Sequence, residues 1–89
     1  VTRVRIYTEN KRLKGIEYLV QKHWDCFSVY KIDGIWHGKP EKSVVIEVIL
    51  DDYPTLNRHV DTLCKQICAL NEQANCMVVI ENVQADFRG

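Results

Sequence analysis

The run "SVVIEVIL", Ser43 to Leu50, narrows the possible folds more than any other part of this sequence. Its residues are mostly β-branched, which favours a strand over a helix. Read with a period of two, Val44, Ile46, Val48 and Leu50 fall on one face and Val45, Glu47 and Ile49 on the other. Both faces are apolar apart from Glu47. A strand of this kind belongs inside a sheet and needs cover on both sides.

The flanking segments say what surrounds it. Thr2 to Thr8 ("TRVRIYT") alternates, with Val4 and Ile6 facing one way and Arg3, Arg5 and Tyr7 the other, so it reads as a strand. Glu9-Asn10 offers a cap for a helix over "KRLKGIEYLVQKHW", where Leu13, Ile16, Leu19, Val20 and His23 recur at helical spacing. Gly15 weakens that helix by about 1 kcal/mol relative to Ala. Asp25 interrupts the pattern. "CFSVYKI" reads as a second strand, with Phe27 and Val29 opposite Ser28, Tyr30 and Ile32. Residues 33–41 then form a long tip before the third strand, "KSVVIEVIL". "DDYPT" opens a second helix, with Pro54 in its first turn and Thr55 or Asp52 as cap. Leu56, Val60, Leu63, Cys64, Ile67 and Leu70 give that helix an apolar stripe, which fades near Ala74. "NCMVVIENV" is a fourth strand, and "QADFRG" has no period.

The order β-α-β-β-α-β is that of the ferredoxin-like α+β fold: a four-stranded antiparallel sheet with two helices on one face. Right-handed crossovers put the first and third strands in the centre. At 89 residues the chain is expected to form one domain, residues 1–89. Two helices cover one sheet face, yet the third and fourth strands are apolar on both. The uncovered face predicts self-association.

A hydrophobic content of 46% is too high for a disordered chain. Twelve basic residues balance twelve acidic ones, so no nucleic-acid or anionic-lipid partner is expected. No apolar run approaches the roughly 18 residues of a membrane span. Cys26, Cys64, Cys68 and Cys76 form no CxxC pair and no zinc-finger spacing with histidine, so neither metal nor cofactor is expected. Read as small hydrophobes in apolar surroundings, they suggest reduced thiols and a cytoplasmic location.

The chemistry-bearing residues gather around the tip. Gly34 and Gly38 permit unusual backbone angles, Pro40 stiffens the exit, and Tyr30, Trp36, His37 and Glu41 surround the turn. Taken singly, each reads as an ordinary hairpin or surface residue. Taken together, aromatic rings with one carboxylate suit a cationic ligand that carries a flat ring. If the sheet oligomerises, loops of neighbouring subunits would line shared clefts. No Ser-His-Asp or Cys-His arrangement is present, and no phosphate-binding glycine loop precedes a helix.

The segment "GIWHGKPEKSVVIEVILDD", followed by the second helix and "NEQANCMVVIEN", resembles the small phage-encoded enzymes that degrade S-adenosylmethionine. The likeness runs from about Phe27 to Glu81. It implies a homotrimer like that of the PII signalling proteins, with sites between subunits in the host bacterial cytoplasm. It also implies a lyase reaction that yields methylthioadenosine and homoserine lactone, and a benefit in anti-restriction. The family's catalytic Tyr and Glu correspond here to Tyr30 and Glu41, with Trp36, Ser43 and Gly34 on the substrate. Trp36 rivals Tyr30 as the key aromatic residue. Two further readings stand beside the lyase: a PII-like trimer that binds a nucleotide-type metabolite without turnover, and a protein-interaction module such as an inhibitor.

Overall fold

The computed structural model describes residues 1–89. Strand β1 covers Thr2–Glu9, helix α1 Leu13–Gln21, β2 Ser28–Trp36, β3 Lys39–Leu50, α2 Leu56–Asn71 and β4 Met77–Asn82. The four strands form one antiparallel sheet in the order β2-β3-β1-β4. This is the ferredoxin-like α+β arrangement, with β1 and β3 central as the crossover rule requires.

The core lies between the sheet and the two helices. Val4 and Ile6 of β1, Val44 and Ile46 of β3, Ile16 and Val20 of α1, and Leu56, Val60, Leu63 and Ile67 of α2 form one buried cluster. Each strand contributes every second residue, and each helix one stripe, as the two periodicities dictate. Gly15 has a packing reason within α1: a Cβ there would lie 2.9 Å from a methyl of Leu70. Its absence lets α2 approach α1 closely.

Several boundaries differ from those read in the sequence. Glu9 ends β1 instead of capping α1, and the Asn10 amide donates to the Lys42 carbonyl at 2.9 Å. Helix α1 starts after Arg12, which adopts a left-handed conformation (φ 50°) and makes no side-chain cap bond. Thr55 takes the N-cap position of α2, also without a side-chain bond. That helix ends at Asn71, because Glu72 turns left-handed (φ 56°). Cys26 lies outside β2 and is exposed, so it is not a core residue; Cys64, Cys68 and Cys76 are half-buried. His23, just after α1, and His59 of α2 have ring centroids 5.7 Å apart, His23 bonded to Gln66 and His59 to Tyr53.

The main departure concerns the tip. β2 runs on to Trp36 and β3 begins at Lys39, with those two residues paired. His37 (φ 52°) and Gly38 (φ 77°) are the whole loop. Positive φ at both positions is the signature of a type I′ turn, whose hand of twist matches the strands it joins. The expected long tip is thus a regular hairpin with a two-residue turn.

Candidate functional site

Antiparallel pairing sends partner residues to the same face of the sheet. Gly34 pairs with Glu41, Ile32 with Ser43, Tyr30 with Val45 and Ser28 with Glu47. From β1, Glu9 pairs with Ser43, Tyr7 with Val45 and Arg5 with Glu47. All these residues therefore share the face opposite the helices. Two polar networks form there, at different heights along the strands.

The first network lies beside the turn. Trp36 folds back along the hairpin, and its Nε1–H donates to Ser43 Oγ at 3.4 Å. Ser43 Oγ donates in turn to Glu41 Oε1 at 3.1 Å. Gly34 is what lets the indole lie flat, since a Cβ at that position would sit 2.5 Å from Trp36 Nε1. Gly34 therefore serves close approach and has no positive φ. Ser43 is 1% exposed on a sheet face that no helix covers, so its orientation toward Glu41 is well held.

The second network is centred on Glu47. Arg5 Nε donates to Glu47 Oε2 at 2.7 Å, and the Tyr30 hydroxyl donates to Glu47 Oε1 at 3.2 Å. The Arg5 hydrogen bond, with help from Tyr30, holds the Glu47 carboxyl below its ordinary range, and the same contact raises the Arg5 guanidinium. Tyr30 and Glu41, the pair that the resemblance implies, share no hydrogen bond within the chain. Tyr30 lies two same-face positions from Gly34, the partner of Glu41, or roughly 13 Å of strand. Its hydroxyl serves Glu47 instead.

A cleft of about 320 Å³ opens at the end of the sheet next to the turn. Tyr7, Glu9, Trp36, Glu41, Gln73 and Asn75 contribute to its walls. The last two belong to the α2–β4 connection, which Asn71 pins in place. Buried at the end of α2, the Asn71 Nδ2 group donates to the Glu9 carbonyl at 3.1 Å and to Gln73 Oε1 at 2.9 Å. Gln73 Oε1 also accepts from Thr8 Oγ1 at 2.8 Å. Tyr7, Glu9, Gln73 and Asn75 did not stand out as site residues in the sequence. Alternation placed Tyr7 on the open face, but only the β1–β3 register sets Glu9 opposite Ser43 and brings both residues into the cleft that Glu41 lines.

The two cleft carboxylates differ. Glu9 is paired with Lys11 at 2.8 Å. Glu41 takes part in none of the ion pairs of the chain. Its carboxylate is held by a neutral hydroxyl and left without a cation. No group of three or more His, Cys, Asp or Glu side chains is arranged to hold a metal. No helix is long and apolar enough to cross a membrane.

No family model matches the chain, and no curated protein matches it. Among solved structures it is similar to a de novo designed protein, Foldit4. That likeness covers 93% of this chain and 96% of the other at 20% identity, with a TM-score of 0.52. At that identity the resemblance concerns the fold alone.

Proposed function

We propose that the cleft beside the β2–β3 turn binds a cationic ligand with a planar ring, and that this ligand is S-adenosylmethionine. The observation that carries this reading is the unpaired carboxylate of Glu41, fixed by Ser43 and Trp36 in a cleft that also holds Tyr7. Such a carboxylate attracts an ammonium or sulfonium group, and the aromatic rings offer stacking surface and a π face to the cation. The adenine and the methionine ammonium supply the matching groups.

The reaction that suits the site is cleavage to methylthioadenosine and homoserine lactone. The substrate's own carboxylate attacks its γ carbon, the carbon–sulfur bond breaks, and sulfur leaves as a neutral thioether. Opposite charges merge on the way to the transition state, so neither a general base nor a metal has to act. The protein's contribution is to fold the substrate into attack geometry and exclude water. In this proposal Glu41 holds the ammonium, Ser43 fixes Glu41, Trp36 and Gly34 shape the ring pocket, and the domain works as a cytoplasmic homotrimer. Exposed Tyr30, Ile49, Met77 and Val79 on the open face favour assembly. In a trimer Tyr30 would act on the Glu41 site of a neighbouring copy.

A second reading, a PII-like trimer that binds the metabolite without turnover, is favoured by one observation: the Tyr30 hydroxyl is engaged by Glu47. Incubating purified protein with S-adenosylmethionine and separating the products distinguishes the two. Methylthioadenosine that grows with enzyme concentration supports the lyase. Saturable binding without product supports the sensor. Neither binding nor product would remove both.

A further inference from the structure

We propose that Cys68 and Cys76 form a disulfide-forming pair, a modification site that clasps the start of β4 to the end of α2 beside the cleft. The inference rests on the contact of two thiols, with a third one helical turn away, and holds whatever the cleft binds. Cys68 Sγ and Cys76 Sγ are already in contact at 3.7 Å. Both are half-buried, so a small reagent can reach them. Cys64 stands one turn earlier than Cys68 on the same face of α2. Cys76 lies just before β4, against Cys68. Closing the bond requires the sulfurs to approach from contact to about 2.05 Å.

The chemistry has a direction. The neighbouring Cys76 thiol holds the Cys64 thiol below its ordinary range. Burial pushes Cys68 up to about 11, and the neighbouring Cys64 thiol together with burial pushes Cys76 higher still. Exchange with a small-molecule disulfide therefore begins at Cys64, whose thiolate bonds to one sulfur and expels the other as a free thiol. Cys76 loses its proton to solvent and displaces the second small thiol from Cys64. Cys68 then attacks Cys76 and releases Cys64, the most acidic of the three and so the best leaving group. In sum, two protein thiols give up two electrons and two protons, and one small disulfide is reduced to two thiols.

The chain between the paired cysteines contains left-handed Glu72 and the cleft residues Gln73 and Asn75. Gln73 also donates from Nε2 to Cys76 Sγ at 3.7 Å. The disulfide would close a short ring around this cleft wall and restrict it.

The test treats the reduced full chain with glutathione disulfide at neutral pH, followed by intact mass and peptide mapping. The expected product lacks the mass of two hydrogens, carries no glutathione on the three clustered cysteines, and maps to a Cys68–Cys76 link. Cys64→Ser should slow its formation without changing the link. Cys76→Ser should lower the yield of internal disulfide about tenfold or more and leave glutathione on Cys64. Amide exchange at Gln73 and Asn75 should slow in the oxidised wild type, a readout that needs no variant. A wild-type product in which Cys76 remains open to alkylation, or is joined to Cys64 or Cys26, overturns the pairing. A Cys68–Cys76 link with unchanged exchange at Gln73 and Asn75 overturns the clasp.

Discussion

The two faces of the sheet are made by the same four strands and differ in almost every other respect. Under the helices, Val4, Ile6, Val44 and Ile46 are nearly inaccessible and make no polar contact. On the other face, the intervening residues carry the Arg5–Glu47–Tyr30 and Trp36–Ser43–Glu41 networks. Val45 and Ser43 are nonetheless buried there, without any second layer of structure. Their shelter comes from neighbouring side chains: Val45 lies between its cross-strand partners Tyr7 and Tyr30, and Ser43 lies beneath Trp36. One face is thus dry because elements pack on it, and the other is ordered because long side chains lie down on it. The first arrangement stabilises the fold. The second leaves an ordered surface that carries the polar networks.

Substitutions that separate stability from function test this contrast. Leu63→Ala, at the centre of the helix-covered core, should cost about 2–5 kcal/mol in denaturant unfolding. A loss under about 1 kcal/mol would mean that the core is less tightly packed than the other face. Under the lyase proposal, Glu41→Gln should leave the melting temperature nearly unchanged but reduce turnover of S-adenosylmethionine by about 10²–10³, the usual worth of a positioned electrostatic group. Wild-type turnover in that variant would remove Glu41 from the site. Gly34→Ala forces the Trp36 indole off the strand, because the new methyl would sit 2.5 Å from Nε1. It should destabilise by about 1 kcal/mol and alter tryptophan fluorescence; an unchanged spectrum would break the link between Gly34 and the indole.

Glu47→Gln sharpens the comparison through pH. The folded protein holds Glu47 below its ordinary value of 4.5, mainly through Arg5. A depressed carboxyl contributes stability that is present above the unfolded-state value and is lost as pH falls through the folded one. Wild type should therefore exceed Glu47→Gln in melting temperature near neutrality, and the gap should close in acid. A gap that stays constant with pH would show that charge is not what Glu47 contributes. The smallest effect belongs to the turn. His37 occupies a position with φ 52° where Asn is preferred. His37→Asn should stabilise by a few tenths of a kcal/mol, within the range of surface changes, with turnover unaltered.

The alternating and helical periods in the sequence lead directly to the element order, the strand faces and most of the core, because burial enforces those periods. "VRIYT" and "SVVIEVIL" can be placed in only one way when one face must be dry. The turn was harder to read. Gly34 looks like loop punctuation, but its function is to accommodate the indole of a residue two positions later. The family resemblance implied a Tyr30–Glu41 pair, whereas register sets Tyr30 opposite Val45 and its hydroxyl reaches Glu47. The contributions of Tyr7, Glu9 and Gln73 depend on which strand lies beside which and at what offset. Local pattern does not contain that information, since a one-residue slip would exchange the two faces of a strand.

The strand order also bears on how the molecule is made. Strands β2 and β3 are joined by two residues and can zip together within microseconds of leaving the ribosome. β1 is synthesised before them, yet it must pair with β3 on one side and with β4, the last strand, on the other. Its Thr2 meets Asn82 in the finished sheet, so one edge of a central strand stays unsatisfied until translation of the fold is nearly over. During that interval the exposed edge of β1 is open to any extended segment of another nascent chain. Arg3, whose partner Glu81 arrives only with β4, leaves an unpaired positive charge on that waiting strand, which discourages pairing with a second copy of itself.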